Sequence, residues 1–161
     1  MPVSHVKALP KVTLLCIDDD LSVLECEKAF LESFGYTVVT ASSGPEGLEL
    51  ATLRFFDVVI VDYCMPEMNG LEFATAMRRL WAQAPIIMLS GTVDVPAQAL
   101  NVIDAFVAKD RLATQLLAAI ELLMEGTLGS QPAPDKRVSW DMMWHRRKPV
   151  HSADVGVRED S

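Results

Sequence analysis

The chain has 161 residues, half of them hydrophobic, and a formal net charge of −8 at pH 7. One domain with some chain left over is expected at this length, and an acidic body is unsuited to general nucleic-acid binding, which needs a basic face. The three cysteines have no paired spacing, and no apolar run approaches the roughly 18 residues of a membrane span, which favours a reduced, cytoplasmic protein.

The first predicted elements are a strand and a helix. Val12–Ile17 is an apolar run of strand length. The helical pattern after it ends at Gly35, a residue suited to a helix C-terminus. Either Asp20 alone, or Ser22 together with Glu25, is placed to cap the start of this helix.

A second strand and helix lead to the most apolar strand of the chain. Tyr36–Ala41 is rich in β-branched residues and predicts a strand. Ser43 and Glu46 have the spacing of a capping box at the start of a helix that reaches Arg54. Residues 57–61 are dominated by Val and Ile, which is typical of a strand buried on both faces of a parallel sheet.

The same alternation continues to the end of the apolar pattern. A helix is predicted from about Asn69 to Ala82, a strand over Pro85–Leu89 and a short helix over Pro96–Val102. Ala105–Ala108 predicts a fifth strand, and an apolar stripe over residues 112–123 predicts a last helix. Strands alternating with helices in this way indicate an α/β fold with a parallel sheet covered on both faces. By composition, the expected divisions are a lead-in over residues 1–10, one domain over 11–125 and a flexible tail over 126–161.

Polar residues follow four of the predicted strands. The first strand is followed by Asp18 and Asp19, the third by Asp62, the fourth by Ser90 and the fifth by Lys109. Because the carboxyl ends of parallel strands open on one edge of the sheet, these side chains are expected to share one pocket.

The chemistry of such a pocket follows from its charges. Three neighbouring carboxylates do not all ionise comfortably without a cation, and oxygen ligands with room for water suit Mg²⁺ or Mn²⁺. A carboxylate beside the metal can attack phosphorus and form an aspartyl phosphate. The ammonium of Lys109 and the hydroxyl of Ser90 would then neutralise charge on the transferred group.

Four motifs at these strand ends carry a family resemblance: IDDD, VDYCMPEMNG, MLSG and FVAK. With them, residues 12–124 resemble the receiver domain of two-component response regulators. The resemblance implies a flavodoxin-like, doubly wound sheet of five parallel strands in the order 2-1-3-4-5.

The resemblance also implies a role for each pocket residue. Asp62 is the residue phosphorylated by a sensor histidine kinase or phosphotransfer protein. Asp18 and Asp19 form the acidic pair that holds Mg²⁺, with Asp19 as the preferred direct ligand. Asp62 and the backbone carbonyl of Cys64 complete the protein's share of the coordination. Asp20 does not belong to the pair, because the pair directly follows the last apolar residue of the strand.

The phosphoryl group itself is expected to contact other residues. Ser90 is the switch hydroxyl, Lys109 pairs with the phosphate, and Phe106 is the aromatic residue that changes rotamer with the switch. Polar side chains two positions after the nucleophile and two after the switch residue help water to attack the phosphoryl group in this family. Here these residues are Cys64 and Thr92, and because a thiol is a weak hydrogen-bond former, a long-lived phosphoryl group is expected.

The function implied is that of a single-domain response regulator, a phospho-switch that acts through protein contacts. It is expected to be no enzyme beyond self-phosphorylation and self-dephosphorylation. It would be a cytoplasmic monomer or phosphorylation-dependent homodimer, without direct contact to nucleic acid or membrane.

Two other interpretations are less well supported by the residues: a receiver-like interaction module, and a true enzyme or flavin carrier on the same fold. A receiver-like interaction module that does not cycle phosphate would not need all the pocket residues. A flavin carrier would need a phosphate-cradling loop where the chain has three aspartates. A dehalogenase-type phosphatase would need a second Asp at the position of Cys64.

The tail contains an unusual aromatic cluster, Trp140, Met142, Met143 and Trp144, followed by basic residues at 146–148. It is either a disordered tail with incidental aromatic residues or a short peptide that docks on this domain or on a partner, in a phosphorylation-dependent way.

Overall fold

The computed structural model describes residues 11–91 and 96–128, with the backbone alone at 127 and 128. Within these residues, five parallel strands form one sheet in the order β2-β1-β3-β4-β5. The strands are β1 Thr13–Ile17, β2 Thr37–Ala41, β3 Val58–Asp62, β4 Ile86–Ser90 and β5 Ala105–Ala108. The helices are α1 Leu21–Ser33, α2 Gly44–Leu53, α3 Gly70–Leu80 and α4 Leu112–Leu128.

The predicted fold class is therefore confirmed, and the predicted strand bounds differ from the observed ones by at most one residue at either end. The lead-in at residues 1–10, Thr92 and the aromatic cluster of the tail lie outside the described residues. The helix α4 continues to Leu128, so the predicted boundary of the tail at residue 126 falls inside it. Among the described residues, no helix has the length and apolar character needed to cross a membrane.

The sheet is covered on both faces. All residues of β3 and β4 are buried, as their Val- and Ile-rich sequences predict. On one face, Phe73 and Met77 of α3 pack in the same core cluster as Val59 and Val61 of β3. On the other face, the apolar stripe of α4 packs with Leu24 and Leu31 of α1 against the strand residues that point to that side of the sheet. The two layers fix the strand ends that hold the polar residues.

Side-chain caps determine where the helices begin. The carboxylate of Asp20 accepts hydrogen bonds from the first turn of α1, which selects one of the two predicted caps. At α2, Ser43 accepts the Glu46 N–H at 3.3 Å, but the Glu46 carboxylate turns to Ser42 instead of closing the predicted capping box. A full capping box, which the sequence analysis missed, joins Asn69 and Glu72 at α3.

The predicted short helix over Pro96–Val102 is present in 3₁₀ form and over fewer residues. The structure has a short 3₁₀ helix, Ala99–Asn101, in which the Val102 N–H donates to the Ala99 carbonyl at 3.0 Å. Ala99 is buried, whereas Leu100 is exposed, so this segment presents one small apolar contact rather than a helical stripe. A segment this short completes little more than one α-turn and gains little from α-helical hydrogen bonds.

The side chain of Arg78 secures this short connection between β4 and β5. It donates from Nε to the Val102 carbonyl at 2.9 Å and pairs through its guanidinium with Asp104. It also donates to the carbonyls of Ala82 and Ala84, just before β4. One arginine of α3 thus joins the residues before β4 to those before β5.

Candidate functional site

The parallel register brings the polar strand ends together. Ile17 pairs with Val61 across β1 and β3, so Asp18 follows one strand where Asp62 ends its neighbour. Asp62 pairs with Leu89 and Ser90 pairs with Ala108, the residue before Lys109. The five predicted pocket residues therefore lie at the carboxyl edge of the sheet, where open α/β folds place their ligands.

Three carboxylates form a compact cluster at this edge. One oxygen each of Asp18, Asp19 and Asp62 lies within 4.8 Å of the others. Asp18 and Asp62 are only 2% and 3% exposed, whereas Asp19 is exposed. Clustered carboxylates that combine burial with an open side fit a hard divalent ion that keeps some of its water, such as Mg²⁺. Bound there, Mg²⁺ would supply positive charge for phosphoryl transfer.

A single ammonium group bridges the two buried carboxylates. Lys109 Nζ lies 2.7 Å from Asp18 Oδ2 and 3.0 Å from Asp62 Oδ1. Burial raises the pKa of Asp62, and the hydrogen bond from Lys109 opposes that rise without cancelling it. Burial lowers the pKa of Lys109, but its hydrogen bonds to the two aspartates outweigh this effect, so its pKa lies above the usual value. Asp62 is thus a partly desolvated carboxylate held in place by a cation.

The remaining predicted residues lie beside this cluster. Ser90 is buried at the end of β4. Phe106 is half-buried on β5, opposite Met88 in the register. Cys64 is exposed in the loop after β3, and its backbone N–H donates to the Asp62 carboxylate. Ser90 and Cys64 are therefore carried by elements that adjoin Asp62, whereas Phe106 lies one strand further along the sheet.

The loop after Asp62 is closely fitted to its backbone. The Gly70 N–H donates to the Tyr63 carbonyl at 2.9 Å. Glu67 has a positive φ of 64°, and the Met68 N–H donates across it to the Pro66 carbonyl. Such strain in a non-glycine residue next to a candidate site is typical of loops whose shape serves function.

Replacing Gly70 by Ala is expected to destabilise the protein by about 3 kcal/mol, because overpacking against backbone cannot relax easily. A Cβ at this position would lie 2.6 Å from the Asp62 carbonyl oxygen and 2.9 Å from Tyr63 Cα. Urea unfolding measures the loss. The control is Gly91→Ala, where an added Cβ meets no atom of the described residues within 4 Å, so a loss as small as that of the control would contradict the prediction.

One buried charged residue near the site was not predicted from the sequence. Glu27 of α1 is 2% exposed, and its Oε1 has no hydrogen-bond partner among the described residues. Burial raises its pKa to about 7, assisted by Asp18 and Asp62 and opposed by Lys109. Its place between Leu24 and Leu31 on the buried face of the helix was the signal that could have revealed it.

Comparisons with known proteins agree with this arrangement. Residues 14–121 match the family described as response regulator receiver domain. Over 127 residues, the chain is 34% identical to the transcriptional regulatory protein GlrR of Escherichia coli, and the match covers 77% of this chain and 28% of that relative. The chain therefore spans about a quarter of that relative's length.

Solved structures give the same result. A CheY-like receiver domain protein of Methanospirillum hungatei has 27% identity and a TM-score of 0.72, and the match covers 76% of this chain and all of that one. The response regulator TrrA of Thermotoga maritima, solved in complex with Mg²⁺ and BeF, has 29% identity and a TM-score of 0.67, over 70% of this chain and 98% of that one. By its matched residues, its sheet order and the relatives it resembles, the chain belongs to the response regulator receiver domain family of two-component signalling systems.

Proposed function

We propose that this receiver domain accepts a phosphoryl group on Asp62 in a Mg²⁺-dependent reaction and signals through contacts with other proteins. The donor would be a histidine kinase or a phosphotransfer protein, the partners with which receiver domains interact. The observation that carries the proposal is the Lys109 ammonium bridging two buried aspartates at the carboxyl edge of the sheet.

In the proposed reaction, an oxygen of Asp62 forms a bond to phosphorus while the bond from phosphorus to the donor atom breaks. The donor atom leaves with the electron pair of that bond. Asp18, Asp19, Asp62 and the carbonyl of Cys64 are the proposed metal-holding groups, and Asp19 is the one most open to solvent among the three aspartates.

After transfer, the negative charge on the phosphoryl oxygens needs donors close by. The ammonium of Lys109 already lies 3.0 Å from Asp62 Oδ1 and is the proposed partner of the phosphoryl group. The Ser90 hydroxyl is the proposed switch donor, and a rearrangement of Phe106 on the neighbouring strand would report the change to the protein surface.

The metal requirement tests the proposal directly. With acetyl phosphate and Mg²⁺, the protein is expected to gain about 80 Da by intact-mass measurement, the mass of one phosphoryl group. Excess chelator should prevent the gain, and Asp19→Ala should reduce it strongly at the same Mg²⁺ concentration because a direct ligand is lost. Undiminished phosphorylation in chelator would contradict the metal assignment.

The lifetime of the phosphoryl group tests the role of the Cys64 side chain. Replacing Cys64 by Asn should accelerate loss of phosphate several-fold, because an amide orients the attacking water better than a thiol does. The decay of the phosphorylated species by mass provides the rate. Cys26→Asn, a substitution of an exposed cysteine on α1, is the matched control. Decay that is unchanged or slower in Cys64→Asn would refute the prediction.

A further inference from the structure

A groove beside the proposed phosphorylation site contains a second carboxyl group. The groove lies between α1 and the start of α4, has a volume of about 410 Å³, and is lined by both Glu27 and Lys109. Its walls are largely apolar and include Val23, Phe30 and Leu112. The lysine that bridges the aspartates therefore shares its surroundings with a carboxyl group outside the aspartate cluster.

The Glu27 carboxyl is poorly satisfied where it lies. Glu27 is 2% exposed, and its Oε1 has no hydrogen-bond partner among the described residues. An unpaired buried polar atom is costly, and a buried carboxylate is stabilised mainly by a cation close to it. The cation that acts favourably on Glu27 is Lys109, although their charged atoms are not paired in this structure.

The Lys109 ammonium occupies oxygens that a metal ion needs. Its two aspartate contacts, at 2.7 and 3.0 Å, use Asp18 Oδ2 and Asp62 Oδ1, and both aspartates belong to the cluster described above. A divalent cation in that cluster would compete with the ammonium for these oxygens and repel its charge. The ammonium has three N–H donors, so it can keep Asp62 and still turn one donor elsewhere.

We propose that Glu27 is a positioning residue for Lys109: when a divalent cation enters the aspartate cluster, the Lys109 ammonium leaves Asp18 and pairs with Glu27. The exchange frees Asp18 for the metal and gives the unpartnered oxygen of Glu27 a donor. Glu27 acts through Lys109 and does not bind the metal. The inference rests on the proposed function, since it takes the aspartate cluster to be the metal site.

Titration of the full chain with Mg²⁺ alone tests the exchange. In Glu27→Gln, Mg²⁺ affinity is expected to fall about tenfold, the value of one charge-assisted hydrogen bond. The control is Glu25→Gln, which removes the same charge from an exposed position of α1 and should change affinity by less than about twofold. Equal affinities of the two variants would overturn the inference.

A second measurement separates the exchange from a general effect of charge or of folding. In the wild type, saturating Mg²⁺ should shift the side-chain ¹⁵N resonance of Lys109, and in Glu27→Gln this shift should be clearly smaller. In a Lys109→Met background, Glu27→Gln should lower Mg²⁺ affinity by less than about twofold, because no ammonium remains to be moved. A full tenfold loss in that background would overturn the inference.

The wild-type result distinguishes this inference from the proposed function. If wild-type protein binds Mg²⁺ and is phosphorylated while Glu27→Gln binds Mg²⁺ equally well, the inference alone fails. If wild-type protein binds no Mg²⁺ and gains no phosphoryl group, both fail. Near-identical amide spectra of wild type and Glu27→Gln without metal would show that the variant keeps the fold.

Discussion

Replacing Asp62 by Asn is expected to abolish phosphorylation by acetyl phosphate while leaving the domain folded. An amide oxygen is a poor nucleophile toward phosphorus. Among the three clustered carboxylates, Asp62 is the one that is the last residue of a strand. The same substitution should raise the free energy of unfolding without metal. Burial raises the pKa of Asp62, which means that its ionised form is disfavoured in the fold, and Asn carries no charge.

Intact-mass measurement and urea unfolding provide the two readouts for this variant. The matched control is Asp110→Asn, which removes a charge from an exposed residue next to Lys109 and should leave phosphorylation unchanged. An Asp62→Asn protein that still gains the mass of one phosphoryl group would remove Asp62 from its proposed role.

The pH dependence of stability is expected to depend strongly on Glu27. Its pKa is about 7 in the fold, against an ordinary value of 4.5, mainly because of burial. Below pH 4.5 the carboxyl is neutral in both the folded and the unfolded chain, so it contributes no penalty. Between the two values the folded chain holds a proton that the unfolded chain has released, so stability falls as pH rises and levels off above pH 7.

Compared with Glu27→Gln, the wild type should therefore lose about 3 kcal/mol of unfolding free energy between pH 4.5 and pH 8, at 1.36 kcal/mol for each pKa unit. Urea unfolding of both proteins in chelator, across this pH range, measures the difference. Glu25→Gln should follow the wild type because that carboxylate is exposed. If the unfolding free energies of wild type and Glu27→Gln changed with pH in parallel, ionisation of Glu27 would not destabilise the folded chain, and the prediction would be wrong.

The sequence predicts the sheet and the pocket well because both follow from patterns that local physics enforces. The Val- and Ile-rich run that ends at Asp62 is typical of a strand covered on both faces, and the strand order that the family resemblance implies places Asp18 beside it. That Lys109 shares a pocket with Asp18 and Asp62 follows from this topology, but its ion pairs with both aspartates were not predicted. The assigned roles of these residues stay predictions.

The features that the sequence analysis missed depend on contacts between distant parts of the chain. The spacing of Glu27 from Leu24 and Leu31 indicates which helix face it shares, but how deeply it is buried is determined by how α1 packs on the sheet. At Gly70 the need for glycine comes from the Asp62 carbonyl, eight positions earlier. The segment over Pro96–Val102 is too short for its periodicity to distinguish an α-helix from a 3₁₀ turn.

The short connection between β4 and β5 has a consequence for local unfolding. A connecting α-helix would resist detachment with several cooperative turns, whereas the 3₁₀ helix Ala99–Asn101 spans only three residues. Its attachment depends instead on buried Ala99 and on the contacts of Arg78 with Val102 and Asp104. Detaching this segment from the sheet would therefore break the buried contact of Ala99 and the contacts of Arg78, but no α-helical hydrogen bonds.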